Sequence, residues 1–181
     1  MHELTDQELY RALQFAKNQD EHAGRKILDT FQTDQPAMAK TIFGVLPSMI
    51  AERDQAMAHL FMDVCFDVIC VFQHAFGTLP SQQVLGFEWL AKSAAQLDPE
   101  LQAMMSGESM NKKWRDKLQN RFKERMIDSQ TQSGLIDFLN ATIDQFVAEQ
   151  QIPPSAVEMT KAMTFVVIQL FNSMYTQAKT A

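Results

Sequence analysis

The chain has 181 residues, 46% of them apolar and 21% charged, and carries a net charge of −6. That length gives room for one domain, and the apolar share offsets the entropy of ordering it, which excludes wholesale disorder. Six Gly and six Pro exclude collagen-like and linker-like chains, and the acidic balance argues against a general nucleic-acid binder, since phosphate contacts need local positive charge.

Helix signals run from end to end. Thr5-Asp6-Gln7-Glu8 fits a capping box, and Leu9, Leu13 and Ala16 follow at helical spacing. A second helix is expected over 20–32, with Ile27, Leu28 and Phe31 on its inner face. Asp34-Gln35-Pro36 reads as a cap followed by a proline in the first turn, and Pro47 restarts or kinks the chain just after Gly44. A long helix is then expected from Ser48 to Phe76, ended by Gly77. Thr78-Leu79-Pro80-Ser81 starts a helix reaching Leu97, Asp98-Pro99 starts a short one broken at Gly107, and another runs from Asn111 to Gln130. The last two span 134–150, stopped by Pro153-Pro154, and Ser155 to Gln177. Phe165-Val166-Val167-Ile168 has the composition of a strand, but its flanks continue one helix. The expected fold is all-α: residues 1–181 as one compact bundle of about seven to nine helices.

Two of these helices are apolar nearly all round. One, over 57–76, carries Met57, Leu60, Phe61, Val64, Val68, Val71 and Phe72; the other, over 157–174, carries Met163, Val166, Val167, Leu170, Phe171 and Met174. A helix with no polar face is buried on several sides, so both belong at the centre of the bundle or in a subunit interface. Twelve Met fit either adaptable core filler or the lining of an apolar-ligand pocket or partner groove.

On the first of these helices the polar residues Glu52, His59, Asp63, Asp67, Cys70 and His74 fall within a sector of about 80°. The line has three readings: a stripe facing solvent, a structural His–carboxylate network, or a functional site. Imidazole, thiolate and carboxylate all ligate zinc and similar metals, and His59 with Asp63 or Cys70 with His74 could each share an ion. The two pairs lie about 16 Å apart along the axis, so one ion cannot bridge them, and no particular metal or cofactor is indicated. Cys70 with His74 is also the local nucleophile–base candidate, provided the thiol is accessible and acidified. No glycine-rich phosphate loop, nucleophile elbow or Cys-x-x-Cys occurs, which lowers the expectation of an enzyme.

Residues 112–125 hold seven basic and two acidic side chains. Lys112, Lys113, Arg115, Lys117 and Arg121 flank an apolar stripe begun by Trp114, so this stretch either packs on the bundle or meets a protein partner or an anionic surface. Cys65 and Cys70 point apart by about 140° on one helix and are read as free thiols, which suits a reducing cytoplasm. The first eight residues have no basic segment or apolar run and do not read as a signal peptide. Asp63, Asp67 and Gln169 interrupt the longest apolar runs, so no spanning helix is expected, while peripheral membrane association stays open. The functional expectation is a cytoplasmic, non-catalytic interaction or regulatory module, a homo-oligomer whose partner is another protein or a second copy. The alternatives are a metal- or ligand-binding protein using the His59-to-His74 line, or a binder of anionic surfaces through 112–125.

Overall fold

The computed structural model describes residues 1–85, 89, 117 and 132–178. Every regular element among them is helical, so the fold is all-α. In chain order these are α1 (Asp6–Lys17), α2 (Glu21–Asp34), α3 (Pro36–Lys40), a π-helical turn (Thr41–Val45), α4 (Leu46–Ala51), α5 (Gln55–Phe76), α6 (Gln82–Leu85), α7 (Ser133–Ala148) and α8 (Pro154–Ala178).

The helix starts follow local chemistry. The Thr5 hydroxyl accepts from the Glu8 N–H (3.3 Å), and the Glu8 carboxylate accepts from the Thr5 N–H (2.9 Å), which completes the capping box. Asp20 opens α2 by accepting from the Ala23 N–H at 2.8 Å. The cap expected at Asp34 does not form, because α2 runs through that residue and Gln35 ends one helix and begins the next. The first turn of α3 is capped from far along the chain instead: the Ala37 N–H donates to Gln82 Oε1 at 2.9 Å, while Gln35 Nε2 donates to the Pro80 carbonyl.

Pro47 stands in the first turn of α4, which follows the π-helical turn with no loop between them. A proline inside a helix lacks an N–H and collides with the carbonyl four residues back, here that of Phe43. The backbone widens by one residue just before it, and the Leu46 N–H reaches the Thr41 carbonyl. The single helix expected from Ser48 to Phe76 is in fact two. Arg53 and Asp54 both fold their N–H groups back on the Ile50 carbonyl, and Asp54, in extended backbone, caps α5 by accepting from the Met57 N–H at 2.9 Å. Gly77 closes α5 with φ of +89°, a conformation that a residue with a Cβ resists.

At the centre, α5 packs against α1, α4 and α8, and α8 packs also against α7. α8 buries fifteen of its 25 residues, and they fall on every side of the helix, so it is enclosed by its neighbours. Aromatic rings join the pieces. Phe72 of α5 lies 5.1 Å from Phe171 of α8 between ring centroids, Phe171 stacks on Phe31 of α2 at 5.8 Å, and Tyr175 touches both Phe72 and Phe76. The Tyr175 hydroxyl donates to the Gly77 carbonyl at 2.8 Å, tying the end of α5 to α8. Met38, Met57, Met159, Met163 and Met174 are all buried in this cluster, where they act as core filler. By length and composition alone α5 is apolar enough to cross a membrane. Its burial against three helices accounts for the same composition in a core helix.

Truncating Phe171 to Ala removes a fully buried ring from the junction of α2, α5 and α8. The expected loss is about 3–5 kcal/mol, read as a lower midpoint in urea unfolding with the slope unchanged; a loss below about 1 kcal/mol contradicts this placement of the core.

Candidate functional site: the polar line of α5

The residues of the polar line do not share one environment. Glu52 lies beyond the end of α4 and outside α5, exposed. His59 and Asp63, on the first half of α5, are also exposed, and the His59 Nε2 stands 3.1 Å from the Gln55 side-chain nitrogen. Further along, Asp67 is half-buried, Cys70 has no exposure at all, and His74 is exposed with its ring stacked on Phe15 at 4.9 Å between centroids.

The cause of that division is the α1–α2 pair. Phe15 of α1 stacks on the ring of His74, which stays exposed, and Gly24 of α2 lies in van der Waals range of the Phe66 ring. Ala12 and Ala16, both buried, let α1 settle against α5 with little between the backbones. Helical periodicity places Cys70 on the same sector as Asp63 and His74, so the line faces solvent only where α1 and α2 leave it open. The solvent-stripe reading describes Glu52, His59, Asp63 and His74, holds only in part at Asp67 and fails at Cys70.

Burial also sets the chemistry. It pushes the Cys70 thiol up to about 12, the neighbouring Asp67 carboxylate adding to the shift, because a thiolate there would have no water and a like charge beside it. Cys65, deeper still, is pushed up by burial alone. Nucleophilic thiols work as thiolates, so the Cys70–His74 pair does not have the activated form that the sequence left open. Asp67 is raised to about 6, first by burial and then by the negative charge of Asp63.

Among the described residues no three His, Cys, Asp or Glu side chains converge closely enough to hold a metal ion. His59, Asp63, Asp67, Cys70 and His74 share a helix sector without forming a coordination shell. A groove of about 710 Å³, between α2 and the α3–π segment, includes none of them; Asp29, Thr33, Lys40 and Phe43 are among its walls. Of the basic candidates, Lys112, Lys113, Trp114, Arg115 and Arg121 lie outside the described residues, and Lys117 is helical and exposed.

Sequence reasoning passed over two features. Thr164 Oγ1 and both polar atoms of the Asn172 side chain are buried on α8 with no hydrogen-bond partner among the described residues. The signal for them was a polar residue on a helix otherwise apolar all round. Gln132, 1% exposed, sits in left-handed backbone at φ 64° just before α7, and nothing in its local sequence marks it. Comparison with models of protein families, with curated proteins and with solved structures finds no match for this chain.

The folded chain keeps a proton on Asp67 up to about pH 6, whereas the unfolded chain releases it near the ordinary 3.8. Stability contributed by the protonated carboxyl is therefore lost as pH rises through that window, and the cost of the buried charge is present in full at pH 7. Asp67→Asn is expected to exceed the parent in stability at neutral pH by about 1–2 kcal/mol, allowing for partial exposure, and to match it in acid below the window. Urea titrations at the two pH values read this directly; equal stability at neutral pH contradicts the environment assigned to Asp67.

Proposed function

We propose that the chain is a non-catalytic helical interaction module of the cytoplasm that engages a protein partner, a second copy of itself first of all. The observation that carries this reading is the exposure of aromatic side chains on two helices, α1 and α7, that meet where Leu9 approaches Gly134. Tyr10 of α1 is 64% exposed and Phe138 of α7 is 43% exposed. Tyr10 follows Leu9, which packs against Gly134 at the start of α7, and Phe138 lies one helical turn beyond Gly134. Isolated exposed apolar residues are common on protein surfaces, but exposed aromatic side chains are the kind of anchor that interfaces are built around. The free thiols of Cys65 and Cys70 support a reducing compartment. The chemistry of α5 points the same way, since its one thiol on the polar line is held protonated and its carboxylates and imidazoles are spread along the helix.

Light scattering on the gel-filtered chain is expected to give the mass of a dimer. Replacing Tyr10 and Phe138 together by Ser should return the monomer with helical content unchanged. A parent chain that stays monomeric over a hundredfold concentration range contradicts the self-association reading.

A further inference from the structure

The groove of about 710 Å³ between α2 and the α3–π segment, two stretches that meet at Gln35, has the size of a small-molecule site. Ala39, which is buried, Phe43, which is half-buried, and Pro36 give it an apolar lining. The Phe43 ring is braced by the buried Phe31, nearly perpendicular to it at 6.1 Å between centroids. One wall carries a negative charge, Asp29 of α2, and the other a positive charge, Lys40 of α3. Both are exposed, and among the described residues neither side chain makes an ion pair or a hydrogen bond. Thr33, one turn on from Asp29, donates its hydroxyl to the Asp29 carbonyl at 2.8 Å and leaves the carboxylate free.

Gly44 singles this groove out. A glycine inside a helical run weakens that run relative to alanine. A left-handed backbone or a close neighbour would account for one, and neither applies here. The backbone at Gly44 is not left-handed, and no atom lies within 4 Å of the place its Cβ would take. Gly44 does line the groove, so a side chain there would take up the groove's space. It also belongs to the π-helical turn, a departure from α-helical geometry that recurs at functional sites.

The two charges decide what fits. They stand on separate helices and do not reach each other, so a guest that satisfies both carries a cation and an anion held apart by an apolar body. A single amino acid holds its two charges too close together, whereas two extended residues span about 7 Å. We propose that the α2–α3 groove binds an apolar dipeptide with free ends, its ammonium on Asp29, its carboxylate on Lys40 and its side chains against Phe43, Ala39 and Pro36. The site is built from α2, α3 and the π turn, apart from Tyr10 and Phe138, so it does not rest on the self-association reading.

Nuclear magnetic resonance on the full chain tests this, with the dipeptide Phe-Leu as the probe. Saturable shifts are expected at the amides of residues 29–44, with a Kd of about 1 mM or below. Acetylating the amino end of the dipeptide, or amidating its carboxyl end, should weaken binding about tenfold each. In Asp29→Asn the acetylated and free dipeptides should bind alike, and in Lys40→Gln the amidated and free ones alike, because each variant lacks the group that the modification deprives of its partner. Gly44→Leu should abolish binding while the melting temperature holds or rises, a combination that damage to the fold does not produce. If that variant fails to fold, the two charge variants, both at exposed positions, decide the matter. No saturable shift at about 10 mM dipeptide overturns the proposal, as does binding indifferent to both end modifications and both charge variants, or binding retained in a folded Gly44→Leu.

Discussion

The apposition of α5 and α8 is the constraint on which the rest of the molecule depends. Both are apolar on most sides, α5 keeping only its narrow polar line for water, and the other helices are arranged to cover the rest. Phe31, Phe72, Phe171 and Tyr175 fill the junction, and the Tyr175 hydroxyl turns outward only far enough to satisfy the Gly77 carbonyl. Enclosure at this level has a consequence for every polar group carried on the two rods. On α5, His59, Asp63 and His74 stand in water while Cys70 is buried and Asp67 half-buried, which is why the thiol stays protonated and the carboxyl holds its proton to unusually high pH. On α8, Thr164 and Asn172 lie inside with no hydrogen-bond partner among the described residues, an arrangement that lowers stability by about 1–3 kcal/mol for each group left unpaired.

The same enclosure moves the functional question away from the centre and towards the rim. Of the reactive groups on α5, Cys70 is buried, while His59, Asp63 and His74 stand in water without converging. On α1 and α7, Tyr10 and Phe138 stand in water, and the Gln132 side chain and Ser133 hold residues 2–4 against the start of α7.

Much of the architecture could be read from local signals, because those signals act over a few residues. The Thr5–Glu8 box, the stop at Gly77 and the all-round apolar character of 57–76 and 157–174 all correspond to what the helices do. The break at 52–54 was missed for a physical reason: Asp54 was available as a cap, but the apolar pattern on either side of it is continuous, so nothing local showed that the backbone turns there. Gln35 and Gln82 cap one another's neighbourhoods across 45 residues, beyond the reach of any window along the chain. The polar line was legible as a sector of a helix, but its division was not, since periodicity gives the direction of Cys70 and says nothing of α1 lying over it. Gln132 was invisible for the same reason, its role being set by residues 2–4 at the other end of the chain.

Amide hydrogen exchange under native conditions measures the central pairing most directly. If α5 and α8 form the mutual core, the amides of Val64–Phe72 and Met163–Phe171 exchange most slowly of all, at one common free energy equal to that of global unfolding. Fast exchange in either segment, or two clearly different free energies for the pair, would contradict the account.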